Sequence, residues 1–285
     1  VRNYNNDIGL PLTVFTLEAD DRVLLLEMGM NHAGELLRLA EIARPGVVVI
    51  TNIGSAHIEH LGSRDGIAAA KKEALAFFDS QCIAVLNQTD EYYEFLSTGV
   101  PGRIVPYTAV PEGFTVERDN GLEGYVLGHA EGEAVFALGG AHNLLNLSAA
   151  VALARKLGLA TSVIANRISQ VRAVESRSQV VDGRVRIIND CYNANPESMR
   201  AGLNLLASAS GGRRVAVLAD MLELGGDSAR LHGELGKWIA VNRPCEELVL
   251  LGPGMAECAQ AAQKAGFEAA HLHAFLSRDE LVTFL

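Results

Sequence analysis

This 285-residue chain has few cysteines, no long apolar run and no closely spaced pair of cysteines of the kind that binds a metal. Its four cysteines, Cys82, Cys191, Cys245 and Cys258, form no CxxC pair, which argues against a zinc site or a disulfide framework and favours a reducing compartment. No apolar run approaches the roughly 20 residues that a membrane-spanning helix needs. The first six residues have no signal-peptide pattern. The sequence therefore predicts a soluble, cytoplasmic protein that does not act in a membrane.

Positively charged residues are also fewer than negatively charged ones. Lysine and arginine number 24 against 34 aspartates and glutamates, so the formal net charge is -10. This balance argues against a nucleic-acid partner and against an anionic membrane surface. It leaves room for a local phosphate site, because main-chain N–H groups and one or two arginines are enough to hold a phosphate.

Short apolar runs alternate with segments of helical periodicity, a pattern typical of a parallel sheet wrapped by helices. We predict strands at residues 23–26, 47–51, 83–86, 185–188, 215–218 and 248–251. We predict helices at residues 34–43, 67–78, 143–157, 162–171, 196–209, 229–241 and 255–265. The fold class is therefore α/β, with a mostly parallel sheet and helices on both of its faces.

Residues 114–138 break this alternation. Apolar and polar residues roughly alternate there, with glycine-containing breaks, which predicts a small antiparallel meander attached to the parallel sheet. A second alternating unit begins shortly afterwards. We therefore expect two domains, residues 1–173 and residues 174–285.

Polar residues follow several of the predicted strands. Ligands of open α/β sheets bind outside the carboxyl ends of the strands. Glu27, Asn52 with His57, and Asp190 occupy such positions, and Lys71 lies on a helix that follows. Any one of them could be a cap or a surface residue, but together they favour a site. An unmodified lysine cannot bind Mg²⁺, which takes oxygen ligands, so Lys71 could equally belong to a solvated helix face.

Two more loops leave similar alternatives open. Asp190 is placed like an acid that hydrogen-bonds a ribose, whereas Asn195 and Pro196 beyond it predict the start of a helix. Asp220 and Glu223 follow another strand and could either face a ligand or cap a helix.

Taken together, these segments resemble the Mur ligase family, and within it the branch that adds D-alanyl-D-alanine. The matching stretches are residues 5–6, 9–13, 27–31, 51–54, 56–59, 61–63, 70–73, 142–146, 189–196 and 220–225. The Tyr-Asn-Ala-Asn-Pro stretch at 192–196 and the Asp-Met-Leu-Glu-Leu-Gly stretch at 220–225 distinguish this branch from its sister ligases.

The resemblance implies a fold and a reaction. It implies a central ATPase-type domain followed by a Rossmann-like C-terminal domain. ATP would phosphorylate the carboxylate of UDP-N-acetylmuramoyl-tripeptide, and the amine of D-Ala-D-Ala would attack the acyl phosphate. The implied cofactors are ATP and Mg²⁺, the implied partners are these two small-molecule substrates, and we expect a cytoplasmic monomer.

The resemblance also implies the residues of a metal site. Glu27 and His57 would help to hold Mg²⁺. Lys71 would be carbamoylated, which turns its side chain into an oxygen ligand beside the acyl phosphate, and it would act in catalysis.

For the nucleotide, the resemblance implies four residues. Asn143 and Asn146 would contact the adenine, and they lie about one helical turn apart on a shared face. Arg177 would reach the ATP phosphates and act in catalysis, and Asp190 would bind the ribose.

The family's phosphate-binding loop is expected ahead of Asn5, and no GxxxxGK[ST] stretch occurs in the 285 residues. We therefore expect these residues alone not to ligate. Two alternatives stay open. One is another ligase of the superfamily, of the diaminopimelate-adding, lysine-adding, folylpolyglutamate or cyanophycin type. The other is a non-catalytic binding module.

Overall fold

The computed structural model describes residues 3–285, which divide after Thr108 into two compact units. The domain boundary expected between residues 173 and 174 lies within the second unit. Mixed α/β architecture, as the sequence predicts, is confirmed in both units. None of the helices in the described range is long and apolar enough to cross a membrane.

The first unit is built on three parallel strands in the order β1-β2-β3. Its elements are α1 (Gly9–Val14), α2 (Glu35–Ala43), β1 (Val47–Ile50), α3 (Ile58–Leu61), α4 (Arg64–Lys72), β2 (Ile83–Asn87), α5 (Tyr93–Ser97) and β3 (Arg103–Tyr107). Strands β1 and β2 are rich in β-branched residues, which suit a pleated, packed surface. Val49 pairs with Val85, and Val85 with Val105, so all three carboxyl ends lie at one edge.

Helical periodicity accounts for the core of this unit. Helix α2 buries Leu36, Leu39 and Ala40, which share one face at the spacing of a helical turn. Helix α4 buries Ile67, Ala68 and Ala70. Each fully buried leucine or isoleucine contributes about 1.5–3 kcal/mol through removal of apolar surface from water.

Residues 23–26 form no strand, so that prediction is wrong. Their main chain pairs with no strand of the described range, and Val23 and Leu25 are 83% and 90% exposed. An apolar run becomes a strand only when a neighbouring strand takes up its N–H and C=O groups. Within residues 3–285 this segment has no such neighbour.

The second unit contains three small sheets. Its elements are β4 (Thr115–Asp119), β5 (Tyr125–His129), β6 (Gly132–Phe136), α6 (Ala141–Lys156), α7 (Thr161–Ile168), β7 (Gln179–Val181), β8 (Ile187–Asn189), α8 (Pro196–Ala207), β9 (Val215–Ala219), α9 (Ser228–Asn242), β10 (Glu247–Leu251), α10 (Met255–Lys264), β11 (Leu272–Phe275) and α11 (Arg278–Phe284). Strands β4-β5-β6 form an antiparallel sheet, β7 and β8 an antiparallel pair, and β11-β10-β9 a parallel sheet.

The predicted meander is confirmed as β4-β5-β6, with an irregularity of register between Val116 and Arg118. Its inner face carries Leu127 and Phe136, which are almost completely buried. They belong to one apolar cluster with residues of α6 and α7, including Leu144. This packing secures the N-terminal end of α6.

The remaining strands and helices match the predictions unevenly. Strands β9 and β10 and helix α9 between them lie where we expected. We expect a buried strand at residues 185–188, but β8 spans Ile187–Asn189 and, among the strands of residues 3–285, pairs with β7 alone. Val185 is 67% exposed. Helix α8 begins as predicted, with Asn195 accepting a hydrogen bond from the main-chain N–H of Ser198 at 2.8 Å.

Candidate active site

The loop after β1, residues 51–54, lies at the carboxyl edge of the parallel sheet, where open α/β folds bind ligands. Lys71, in the last turn of α4, donates a hydrogen bond from Nζ to the main-chain oxygen of Asn52 at 2.7 Å. Ala68 and Ala70 beside it are buried, and they orient the face of α4 from which Lys71 extends. Lys71 therefore lies at the ligand-binding edge of the sheet.

Three other side chains hold the same loop. Asp90 accepts a hydrogen bond from the N–H of Ile53 at 2.8 Å, and Arg64 donates to the oxygen of Ile53 at 2.8 Å. The hydroxyl of Tyr107 donates to the oxygen of Thr51 at 2.8 Å. Burial raises the pKa of Tyr107, so its hydroxyl keeps the proton that it donates. The loop that receives Lys71 is thus fixed along most of its length.

Sequence reasoning missed these supporting residues. Asp90 follows the end of β2, and Tyr107 is the last residue of β3. The signal that pointed to Glu27 and Asp190, a polar side chain at the end of a strand, applies equally to both. Applied to every strand, it would have identified them.

His57 immediately precedes α3 and lies in the left-handed region of the backbone, at φ 65°. This conformation is uncommon outside glycine, although histidine adopts it more often than most residues. It costs about 1–3 kcal/mol, which the surrounding structure must offset. His57 is half-buried, and it follows the loop that receives Lys71.

Glu27 is exposed and joined to the segment around Asn5. The side-chain amide of Asn5 donates to Glu27 Oε1 at 3.1 Å, and the N–H of Gly29 donates to the oxygen of Asn5 at 2.7 Å. A Cβ atom at Gly29 would lie 2.9 Å from the amide nitrogen of Asn5. Glycine at this position therefore permits the close approach that brings Asn5 to Glu27.

The expected metal ligands Glu27, His57 and Lys71 thus come from three separate parts of the first unit. Within residues 3–285, no group of three or more histidine, cysteine, aspartate and glutamate side chains could hold a metal ion. Glu27 and His57 offer two ligands of these types. A metal held there would need further oxygen ligands, and a carbamate on Lys71 would be one source.

Glu73, two residues after Lys71, stabilises the start of a neighbouring helix. Its two carboxylate oxygens accept hydrogen bonds from the N–H of Gly34 at 2.8 and 2.9 Å, and Oε2 also accepts from the N–H of Leu37 at 3.2 Å. These N–H groups lie at the start of α2, where helical partners are lacking. Glu73 therefore caps α2.

The second unit carries the residues expected to bind the nucleotide. Helix α6 follows Gly140, has no side-chain cap and has no acidic residue in its first turn. Such an N-terminus can attract an anion through its N–H groups. The amide nitrogen of Asn143 donates to the oxygen of Gly139 at 2.8 Å, so its side-chain oxygen remains the accepting group. Asn146 lies on the exposed side of the helix.

Arg177 lies in the loop before β7, and its guanidinium stacks 4.0 Å from the ring centre of Tyr192. Its side chain is exposed, and none of residues 3–285 forms an ion pair with it. Stacking leaves the guanidinium N–H groups available to an anion.

Ser178 connects several of these groups. Its N–H donates to Asp190 Oδ1 at 2.8 Å, and its hydroxyl lies 3.1 Å from Nε2 of His142. Burial lowers the pKa of His142, and the charge of Asp190 opposes this only in part. Ser178 thus brings Asp190, Arg177 and the start of α6 into one neighbourhood. Sequence reasoning did not single it out, because nothing in the local pattern marks it.

The contacts of Asp220 show that it caps a helix, and it also lines a cavity of the second unit. Asp220 Oδ1 accepts a hydrogen bond from the N–H of Met255 at 2.8 Å, and Oδ2 accepts one from Gly254 at 3.2 Å. Both N–H groups lie at the start of α10, so Asp220 is a helix cap. Beside it, the completely buried His232 accepts from the N–H of Met221 at 3.0 Å through Nε2.

A cavity of about 1400 Å³ opens within the second unit. Asp190 and Tyr192 line it, together with Val215 and Val217 of β9. The loop after β8 therefore borders a space large enough for a small molecule.

Two family models match this chain. The model of the Mur ligase middle domain matches residues 1–154, and that of the Mur ligase glutamate ligase domain matches residues 176–285. Together they cover all of the chain except residues 155–175.

Several curated relatives carry the name UDP-N-acetylmuramoyl-tripeptide–D-alanyl-D-alanine ligase. The protein from Treponema pallidum is 35% identical over 96% of this chain and 59% of its own length. The protein from Bacillus subtilis is 34% identical over 85% of this chain and 54% of its own length. The chain thus spans little more than half the length of these relatives.

Solved structures give the same result. MurF from Acinetobacter baumannii superposes with a TM-score of 0.86 and 29% identity, covering 100% of this chain and 62% of its own. MurF ligase from Thermotoga maritima, solved with ADP, shares the fold with a TM-score of 0.79 at 23% identity, covering 100% of this chain and 65% of its own. Family matches of this extent, with a shared fold, lead to one conclusion: the chain belongs to the Mur ligase family.

Proposed function

We propose that these residues belong to an ATP-dependent amide ligase that joins D-alanyl-D-alanine to UDP-N-acetylmuramoyl-tripeptide in peptidoglycan precursor synthesis. The observation that carries this proposal is the group around Ser178. There the uncapped start of α6 and a carboxylate lie together with an arginine that forms no ion pair with residues 3–285. Such a group suits a nucleotide. The names of the relatives supply the identity of the substrates.

The nucleotide would be held mainly by the second unit. Arg177 would contact the ATP phosphates, because its guanidinium is exposed and free of a carboxylate partner within the described residues. Asp190 uses Oδ1 for Ser178, which leaves Oδ2 to accept from a ribose hydroxyl. Asn143 would accept from the adenine amino group through its side-chain oxygen, and Asn146 would donate from its own amide.

Mg²⁺ would be held by Glu27, His57 and a carbamoylated Lys71. Carbamate formation joins the neutral amine of Lys71 to CO₂ with loss of one proton. The product keeps one N–H, so the hydrogen bond to Asn52 can persist while carboxylate oxygens are added. The bound cation would supply charge neutralisation for the phosphoryl oxygens.

The reaction would begin with transfer of the γ-phosphoryl group of ATP to the tripeptide carboxylate, which gives an acyl phosphate and ADP. The amine of D-Ala-D-Ala then attacks the acyl carbon, and the tetrahedral intermediate expels phosphate. Negative charge on phosphoryl oxygens grows throughout, so the protein contributes by positioning and by cationic contacts such as Arg177. We further propose that the two domains meet at residues 173 and 174, and that the enzyme is a cytoplasmic monomer.

The test uses the complete reading frame that encodes these residues. The purified protein is incubated with ATP, Mg²⁺ and UDP-N-acetylmuramoyl-tripeptide, and with D-Ala-D-Ala, glutamate, lysine or diaminopimelate as the amine. We expect ADP, phosphate and the amide product in equal amounts with D-Ala-D-Ala only. Turnover with a different amine would identify a sister ligase, and nucleotide binding without any turnover would identify a binding module.

A further inference from the structure

The backbone around Arg177 has an unusual conformation. Ser176 and Ser178 on either side of it both lie at positive φ, 61° and 45°. Neither residue is a glycine, so contacts elsewhere must impose this shape. The backbone conformation on either side of Arg177 therefore sets the direction in which its side chain leaves the loop.

Those contacts come mostly from the loop after β8. The N–H of Tyr192 donates to the oxygen of Ser176 at 3.2 Å. Asp190 accepts from the N–H of Ser178 at 2.8 Å. The main chain is therefore tied down both before and after Arg177 by residues two positions apart on the neighbouring segment.

The side chain of Arg177 is oriented by Tyr192, whose ring centre lies 4.0 Å from the guanidinium carbon. A carboxylate in this position would also orient the arginine, but it would occupy its N–H groups and cancel its charge. The face of an aromatic ring leaves the in-plane donors free for a phosphate. The choice of partner thus preserves the capacity of Arg177 to bind an anion.

His142 links the same loop to α6. Its Nε2 lies 3.1 Å from the hydroxyl of Ser178, and it occupies the first turn of the helix. Because burial lowers the pKa of His142, the neutral imidazole is favoured, and it can accept the hydroxyl proton. Ser178 therefore sets the position of Arg177 relative to the helix start.

We infer that Tyr192 and Ser178 are positioning residues for Arg177: Tyr192 orients the guanidinium through its ring, and Ser178 fixes the loop between Asp190 and His142. This inference rests on the proposed function, since it assigns the phosphate contact to Arg177. It adds two residues that act on ATP only through that arginine.

The test compares Tyr192→Leu, which removes the ring, with Tyr192→Phe, which keeps it, in the complete protein. We expect Tyr192→Leu to lower kcat/KM for ATP roughly 3- to 10-fold, the scale of a lost cation–π contact. KM for D-Ala-D-Ala should not change. Tyr192→Phe should remain within about 2-fold of wild type. Ser178→Ala should behave like Tyr192→Leu, and Ser178→Thr, which keeps a hydroxyl, should recover part of the loss.

A double-mutant cycle separates positioning from general damage. In an Arg177→Ala background, Tyr192→Leu should have almost no further effect, because the residue on which it acts is gone. Phe77→Leu is a matched control, since Phe77 stacks under Arg44 at the same 4.0 Å in the first unit. It should leave kcat/KM for ATP unchanged.

The inference would be overturned if Tyr192→Leu lowered kcat/KM for ATP equally in wild type and in Arg177→Ala. It would also be overturned if Tyr192→Leu and Tyr192→Phe lowered kcat/KM equally. The Kd for ADP, measured by calorimetry on the same variants, keeps the two proposals distinguishable. If wild type fails to use D-Ala-D-Ala, the proposed function fails. If ADP binding then still weakens with Tyr192→Leu and not with Tyr192→Phe, the positioning of Arg177 stands.

Discussion

Lys71 Nζ donates a 2.7 Å hydrogen bond to the main-chain oxygen of Asn52, across 19 positions of sequence. Lys71 comes from the last turn of α4, and Asn52 belongs to the loop after β1. The contact fixes the end of the lysine side chain at the carboxyl edge of the sheet. Any chemistry that Lys71 performs must therefore happen there.

The first prediction concerns the carbamate on Lys71. Lys71→Ala should lower kcat for ligation by about 100-fold or more, because an oxygen ligand of the cation that neutralises the phosphoryl oxygens is lost. Added short carboxylic acids should restore part of the activity by replacing the carbamate oxygens. Nuclear magnetic resonance after incubation with isotopically labelled bicarbonate should show one labelled carbamate in the wild type and none in the variant.

Lys72→Ala is the control for this prediction. Lys72 Nζ donates to the main-chain oxygens of Phe95 and Thr98 at 2.6 and 2.8 Å, at the end of α5. We expect a small loss of thermal stability and an unchanged kcat. Full activity of Lys71→Ala would remove Lys71 from the site. A loss that carboxylic acids cannot rescue would count against the carbamate.

A second prediction concerns Tyr107, whose buried hydroxyl donates to Thr51 in the loop beside Lys71. Tyr107→Phe removes a part-buried hydrogen bond, which costs about 0.5–1.5 kcal/mol of folding free energy. It should also lower kcat several-fold, because the loop next to Lys71 loosens. Urea unfolding and the ligation assay measure the two effects.

Tyr92→Phe provides the comparison within the same unit. The hydroxyl of Tyr92 donates to Asp65 at 2.7 Å at an exposed position, and not to the main chain of residues 51–54. Water can replace this hydrogen bond, so we expect a loss below about 1 kcal/mol and no change in kcat. Equal losses of folding free energy in Tyr107→Phe and Tyr92→Phe would show that the Tyr107 hydrogen bond contributes no more to stability than an exposed one.

Local pattern was enough to predict much of the fold. Leu36, Leu39 and Ala40 mark α2 by their spacing alone, and Asn195 with Pro196 marks the start of α8. The failures have a common cause. The apolar run that includes Val23 and Leu25 predicts a strand, but such a run cannot reveal whether a neighbouring strand exists. Val185 likewise looks buried in sequence and is exposed in the structure.

The residues of the candidate site also differ in whether a local sequence pattern can reveal them. Asp190 could be noticed because it directly follows a strand, which is a local signal. Ser178 could not, because its significance depends on His142, 36 positions away. The contacts of Asp90 with Ile53 and of Tyr107 with Thr51 span 37 and 56 positions. Such contacts depend on packing that local periodicity does not encode.

A third prediction concerns pH. The side-chain and main-chain hydrogen bonds of Arg214 lower the pKa of Glu246 from 4.5 to about 2. A carboxyl with a lowered pKa stabilises the fold above its ordinary pKa, and this contribution disappears as pH falls toward the folded-state value. Glu246→Gln should therefore be less stable than wild type at neutral pH, and the difference should shrink toward about pH 2.

The expected size of this effect is small. The Glu246 side chain is 45% exposed, so water screens the pair, and about 0.2–1 kcal/mol is expected. Glu133→Gln, which removes the more exposed pair with Arg118 at 3.4 Å, should change stability less. Thermal unfolding of both variants across the acidic range gives the comparison. A Glu246→Gln penalty that is independent of pH would contradict the assignment.

A fourth prediction uses two glycines of α9 that differ in their surroundings. A Cβ atom at Gly236 would lie 2.1 Å from the main-chain oxygen of Cys258 in α10, whereas one at Gly233 would meet only Ala261 Cβ at 3.8 Å. Gly236→Ala should destabilise the protein by about 1–3 kcal/mol, because the two helices must move apart. Gly233→Ala should be neutral or stabilise by up to about 1 kcal/mol, since alanine favours a helix over glycine. Urea unfolding measures both substitutions under one set of conditions. Both variants gain the same helix propensity, so only the distance to α10 can separate them, and equal stabilities would show that α9 and α10 do not require glycine at their contact.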